Sequence, residues 1–186
     1  LYFQDEDNIL GTSFMPYLQN VAGLTGVNYR LEPWSYREDE GCEMGNIFTP
    51  CVAAAGDPAT PTLKAHAGDR VMINVFGAHN EQNQMFLVDG HQWRRHLNQV
   101  GSDMIDVEEF GGGEWIQAEM SAGGTYSNPG TYLWMNGRTP YRQAGQWGYF
   151  KVLPAGDRSI LPLGGASAKG VKSASKVGDD VLSMND

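Results

Sequence analysis

Pro61-Thr62-Leu63-Lys64-Ala65-His66-Ala67-Gly68-Asp69-Arg70-Val71-Met72-Ile73-Asn74-Val75-Phe76 reads as a strand, a turn and a second strand. Gly68-Asp69 is the turn signal. Val71, Ile73 and Val75 alternate with Met72, Asn74 and Phe76, the period of two that sends successive side chains to opposite faces of a sheet. The same grammar continues downstream. Met85-Phe86-Leu87-Val88 is a short apolar run that ends at Asp89-Gly90. Gly111-Gly112-Gly113 reads as a flexible hairpin loop before a strand holding Trp115, Ala118 and Met120. Asn128-Pro129-Gly130 introduces Thr131-Tyr132-Leu133-Trp134-Met135, and residues 147 to 153 close the series. Short strands parted by turn signals predict an all-β sandwich or barrel. The 24 glycines and 9 prolines fit that punctuation, and no segment carries a helical stripe of useful length.

Working outward, Gly26-Val27-Asn28-Tyr29-Arg30-Leu31 alternates and reads as a strand, after an N-terminal arm over residues 5–26. Leu1-Tyr2-Phe3-Gln4 reads as the remnant of a cleavable tag and is set outside the fold. Pro33 to Asp57 reads as a long loop of the kind that serves function or an interface. Residues 27–154 form the expected domain. Beyond it, residues 155–186 turn rich in Gly, Ala, Ser and Lys, the composition of a flexible or partner-bound tail.

Bulk properties exclude several classes. Charged residues make up 19% and hydrophobic residues 41%, a balance that argues against global disorder. No apolar run approaches the roughly 20 residues of a membrane helix. The formal net charge is −9 and Lys and Arg are scattered. Nucleic acid is therefore not an expected partner, because phosphate neutralisation needs a basic face. Cys42 and Cys51 are the two cysteines. Without a CxxC they do not suggest zinc. They are read as a disulfide closing a short loop, which implies an oxidising compartment and export to an extracellular or periplasmic space. Two unpaired cytosolic thiols are the alternative.

Two stretches, taken together, resemble a cupredoxin domain of the multicopper oxidases, in particular the large bacterial ones that include manganese oxidases. The first is Pro61 to Val71 followed by Asp89-Gly90-His91-Gln92-Trp93. The second is Pro129-Gly130-Thr131-Tyr132-Leu133-Trp134 running into Gly145-Gln146-Trp147-Gly148-Tyr149-Phe150-Lys151-Val152. The resemblance covers roughly residues 27 to 153 and implies a cupredoxin-like Greek-key β-sandwich. It also places the family's copper motifs on this chain. HPxHLHGH ends at His91, with its type 1 histidine on Leu87 or nearby Gln84 and its type 2 histidine on Asp89. HCHxxxHxxxGM puts HCH on Met135-Asn136-Gly137, its later histidine on Tyr141 and its Gly-Met on Gly145-Gln146. His91 is the retained match, a type 3 position. A blue-copper site needs a cysteine thiolate and two imidazoles. The resemblance therefore implies the fold, and the residues argue against the copper chemistry.

Asp89 and His91 are the candidate metal ligands, an Asp-x-His pair placed on one face of a strand. A third ligand would come from His79, His96 or Glu81. Glu38-Asp39-Glu40 and Glu108-Glu109 are the acidic clusters; neighbouring carboxylates on a strand point to opposite faces, which weakens them as a cation site. His66 lacks ligand spacing to another histidine. Trp93, Trp115, Trp134, Trp147 and Tyr132 are read as sandwich core. There is no G-x-S-x-G, and no GK[ST] follows the triple glycine.

The expected function is a copper-free cupredoxin-like accessory or structural domain of a multicopper-oxidase-like assembly. It would act through contacts with other cupredoxin domains or subunits, or with itself, and would not be catalytic alone. The competing expectation is an oxidoreductase subunit lending His91, with Asp89, to an intersubunit copper or manganese site. No other cofactor is expected.

Overall fold

A computed structural model describes residues 1–7, 23–39, 56–79 and 82–160 of the 186-residue chain. Cys42, Cys51, Glu40, Glu81 and residues 161–186 lie outside the described residues, as do the side chains of Glu38, Asp39 and His79.

Eleven strands run through the described chain. They are β1 (Tyr2–Asp7), β2 (Gly23–Val27), β3 (Leu63–His66), β4 (Arg70–His79), β5 (Gln84–Val88), β6 (Trp93–Arg94), β7 (Met104–Ile105), β8 (Val107–Phe110), β9 (Trp115–Ser121), β10 (Gly130–Asn136) and β11 (Trp147–Leu153). One sheet has the order β2-β1-β4-β9 and the other β3-β11-β10-β5-β8, with β6 and β7 forming a small ribbon. Successive strands lie in different sheets at β2 and β3, β3 and β4, β4 and β5, β8 and β9, and β9 and β10. The two sheets enclose one apolar cluster that includes Phe3, Ile73, Val75, Phe86, Val88, Trp93, Phe110, Ala118, Met120, Trp134 and Phe150. This is the sandwich that the alternating strands predict. Burying one face of each sheet supplies the driving force.

The alternation of β4 does what its sequence asks. Ile73 and Val75 are buried while Met72, Asn74 and Phe76 face outward. Cross-strand fit is tightest where Trp134 of β10 lies opposite Gly148 of β11. A Cβ at position 148 would stand 2.3 Å from the Trp134 ring, so only glycine leaves room for that indole.

Several expectations need correction. Gly26 to Leu31 is not a strand throughout. Asn28 and Tyr29 have φ of 53° and 61°, and they close a turn with Val27 bridged to Arg30. Tyr2–Gln4, set outside the fold on sequence grounds, are part of β1, which fills the slot between β2 and β4. Phe3 is fully buried against Phe86, Phe110 and Trp134 in edge-on ring contacts. An aromatic that fills an interior hole contributes to a core wherever it stands in the chain. Gly111-Gly112-Gly113 is no hairpin: it carries the chain from β8 in one sheet to β9 in the other. Trp115 is exposed, at 60%, because its parity on β9 is opposite to that of buried Ala118 and Met120.

Two six-residue helices interrupt the all-β pattern, α1 (Trp34–Asp39) and α2 (Thr139–Ala144). Both are too short to show a stripe, which is why periodicity missed them. α1 is held by tertiary bonds instead. Arg37 is buried, donates to Glu32 at 2.6 Å and to the Gly56 carbonyl at 3.2 Å, and lies 5.0 Å from the Trp147 ring centre. No helix among the described residues is long and apolar enough to cross a membrane.

Candidate functional site

Two polar islands sit in this apolar interior. The first is built of amides. Gln84 opens β5, Asn136 ends β10, and Gln146 stands in the turn between α2 and β11. All three side chains are fully buried. β5 pairs with β10, and β10 with β11, so the sheet brings the three positions together. The Asn136 Nδ2 group donates one hydrogen to Gln84 Oε1 and one to Gln146 Oε1, the latter at 2.6 Å. Asn136 Oδ1 accepts from the Arg138 N–H at 2.8 Å. Gln146 Nε2 donates to the Gln4 carbonyl of β1 at 2.9 Å, and Gln84 Nε2 to the Gln82 carbonyl at 3.2 Å. The backbone at 136 is also tied down, its N–H donating to the Gln146 carbonyl at 2.9 Å. Tyr141 of α2 is fully buried, and its carbonyl accepts from the Gln146 N–H at 3.0 Å.

The account closes around Asn136. Both of its amide hydrogens and its oxygen have partners, which is what an uncharged polar side chain needs to be buried at low cost. The knot links two strands of one sheet, and the turn that leads into a third, to a strand of the other.

The second island is His91. Its ring is 1% exposed, packed edge-on against Tyr132 with centres 4.7 Å apart and tilted against Phe150 at 5.3 Å. Nδ1 lies 2.7 Å from the Asp89 carbonyl and Nε2 lies 3.0 Å from the Gly123 nitrogen. A carbonyl only accepts and an N–H only donates. The ring is therefore the neutral form protonated on Nδ1, with the Nε2 lone pair taken by Gly123. Burial pushes its pKa down, against the raising effect of the Asp89 carbonyl. Gly123 has φ of 85°, and a Cβ there would stand 2.5 Å from the Asn128 oxygen, so the position is closed to other residues.

The shared strand face expected for Asp89 and His91 does not form. Residues 88–91 make a turn, in which the His91 N–H donates to the Val88 carbonyl at 3.1 Å. His91 points into the core, whereas Asp89 is exposed. Partial desolvation raises the Asp89 pKa, opposed by the positive charge of Arg142. Asp89 and His91 also line an open cavity of about 550 Å³ with Met85, Leu87, Asp106 and Val107.

The other candidates lie apart. His66 Nε2 is 2.7 Å from the Asp157 carbonyl. His96 is exposed in the segment between β6 and β7. Glu108 accepts from Trp93 Nε1 at 3.2 Å, while Glu109 accepts from Asn83 at 3.0 Å. Among the described residues, no group of three or more His, Cys, Asp or Glu is placed to hold a metal ion.

Copper was tested against the amide knot. Its donors are three neutral amides already spent on one another, with no thiolate and no imidazole. That set does not fit a copper site. Gln84 and Gln146 are legible as polar positions that the resemblance singles out. Their bonding to Asn136 is not, because it depends on the register of β5, β10 and β11.

No family model matches the chain and no curated protein matches it. Solved structures do. The McoA multicopper oxidase 2F4 variant from the hyperthermophile Aquifex aeolicus superposes with a TM-score of 0.51 at 12% identity, over 82% of this chain and 29% of that one. The copper nitrite reductase from Nitrosomonas europaea gives 0.45 at 16% identity, over 53% and 35%. The multicopper oxidase mgLAC gives 0.42 at 19% identity, over 62% and 36%. The chain thus spans about a third or less of the length of these proteins. It is an all-β, cupredoxin-like sandwich.

Proposed function

We propose that this chain is a copper-free cupredoxin-like domain that serves a multicopper-oxidase-like assembly as a structural or accessory module, through protein contacts. The observation that carries the reading is the closed amide knot of Gln84, Asn136 and Gln146. Three polar side chains converge at the end of β10, and every bond among them is made without an ion. His91 serves the fold in this reading. Both ring nitrogens are committed to backbone partners that hold the turn at 88–91 against the turn at Gly123. The manganese-oxidase-like affinity rests on the paired Ala-Gly-Asp and Pro-Gly-Thr-Tyr turns. Export rests on the spacing of Cys42 and Cys51.

Elemental analysis of the purified chain after loading with copper and manganese and desalting tests the reading. A visible spectrum is recorded alongside. The expected result is no stoichiometric metal and no blue-copper absorption. Retention of about one metal per chain, lost in His91→Ala, overturns it in favour of an intersubunit metal site.

A further inference from the structure

The chain holds two pairs in which Asp or Asn precedes glycine, Asp89-Gly90 and Asn136-Gly137. In such a pair the glycine nitrogen can attack the side-chain carbonyl carbon, because glycine has no Cβ to screen that nitrogen and its backbone turns freely. In an unfolded chain the asparagine pair reacts first. Its neutral amide carbon admits a nucleophile more readily than an ionised carboxylate does. The structure reverses that order. Asn136 is fully buried. Its Nδ2 hydrogens go to Gln84 and Gln146, and its Oδ1 accepts from the Arg138 N–H at 2.8 Å. The nitrogen that would attack is tied as well, since the Gly137 N–H donates to the Met85 carbonyl at 3.1 Å. Ring closure there requires these bonds to break inside the core. At the other pair both residues are exposed. The Asp89 carboxyl has no hydrogen-bond partner among the described residues, and the Gly90 N–H donates to none of them. The pair sits at the tip of the turn at 88–91, where Gly90 has φ of 68° and lines the open cavity of about 550 Å³ that admits water.

We propose that Asp89 is a covalent modification site, at which the folded chain converts aspartate to isoaspartate, while the amide knot keeps Asn136 intact. The inference goes beyond the accessory-module reading and stands without it. The Gly90 nitrogen bonds to Asp89 Cγ, and the carboxyl OH leaves with the amide hydrogen as water. Water then reopens the cyclic imide. Cleavage between the Gly90 nitrogen and the Asp89 α-carbonyl carbon leaves the chain running through Cβ and Cγ, with a free α-carboxylate. No atom is gained or lost over the two steps. The carbonyl taken out of the chain is the one 2.7 Å from His91 Nδ1. Conversion therefore lengthens the turn by one methylene and removes from the backbone the acceptor that fixes the His91 ring. The same attack at Asn136 would expel ammonia and end in an acid, a change that mass reveals.

Ageing of the purified full chain at neutral pH and body temperature tests this, with a parallel sample in concentrated urea. Protease digestion, separation of the isomeric peptides and labelling by an isoaspartate methyltransferase locate the products, and mass separates deamidation from isomerisation. The expected result is isoaspartate at position 89 of the folded chain, formed within about tenfold of the rate in urea, because no native bond has to open first. Deamidation of Asn136 is expected to be at least about a hundredfold slower in the folded chain than in urea, because it waits on opening of the knot. Conversion at 89 ahead of 136 shows that the folded state reacts, since the unfolded chain converts 136 first. Asp89→Glu, whose longer side chain must close a larger ring, gives no isomer at 89 over the same interval. An Asp89 that stays aspartate in the folded chain while it converts in urea overturns the proposal. So does an Asn136 that deamidates as fast in the folded chain as in urea.

Discussion

The amide knot and His91 solve the same problem in different ways. Each buries polar atoms in an apolar sandwich. The knot joins side chain to side chain, with Asn136 bonded to Gln84 and Gln146, and completes the set with backbone partners at Arg138, Gln4 and Gln82. His91 is satisfied wholly by backbone, from Asp89 and Gly123. The residue that looks most like a ligand has no lone pair to give. The residues that look like losses form the more elaborate network. Hydrogen-bond accounting, and not residue type, decides which polar position is available for chemistry.

Substitutions break the two islands by different routes. Gly123→Ala should have the largest effect, a loss of about 4 kcal/mol, because it adds backbone strain to a steric clash, and relieving the clash shifts the backbone N–H that holds His91. Urea unfolding measures it. Asn136→Leu should cost about 3 kcal/mol, since two buried acceptors lose their donor at once. The double variant Gln84→Leu with Asn136→Leu should lose less than the sum of the single variants, because removing both partners strands fewer groups. Additive losses would mean that the knot is not one network. His91→Phe fits the ring volume but leaves the Gly123 N–H unpaired, for about 2 kcal/mol.

Acid should separate the islands further. The knot contains no titratable group and should not respond to pH. The folded pKa of His91 is depressed below its ordinary value of 6.5. The unfolded chain therefore binds the proton first. His91 contributes stability that is full above about pH 6.5 and is lost as pH falls toward the folded pKa. Thermal unfolding across pH 5 to 8 should show this decline, and His91→Phe should flatten it. Asp89 has the opposite sign, its folded pKa being raised. Its share is present below the ordinary carboxylate value and fades as pH rises through the folded one. Asp89→Asn should raise stability at neutral pH slightly, by under about 0.5 kcal/mol.

Much of the sandwich is legible in the chain, and the reasons are local. Val71, Ile73 and Val75 announce β4 by alternation alone. The exposure of Trp115 is also legible in principle, since its parity differs from that of Ala118 and Met120. What escapes is long-range. Phe3 reaches the core through a parallel pairing with β4 that no local pattern signals. Arg37 is buried because Glu32, Gly56 and Trp147 converge on it from three segments. At the site, the sequence shows Gln84, Asn136 and Gln146 as separate amides. Only the register of three strands shows that these amides bind one another.

The knot itself offers the most direct test. Nitrogen–proton spectra of the labelled full chain resolve the side-chain amide protons of Asn136, Gln84 and Gln146, before and after one equivalent of Cu(II). The account predicts slow exchange with solvent and no paramagnetic broadening at these three groups. Their selective disappearance on adding copper would show that the ion enters the knot, and would contradict the account at its centre.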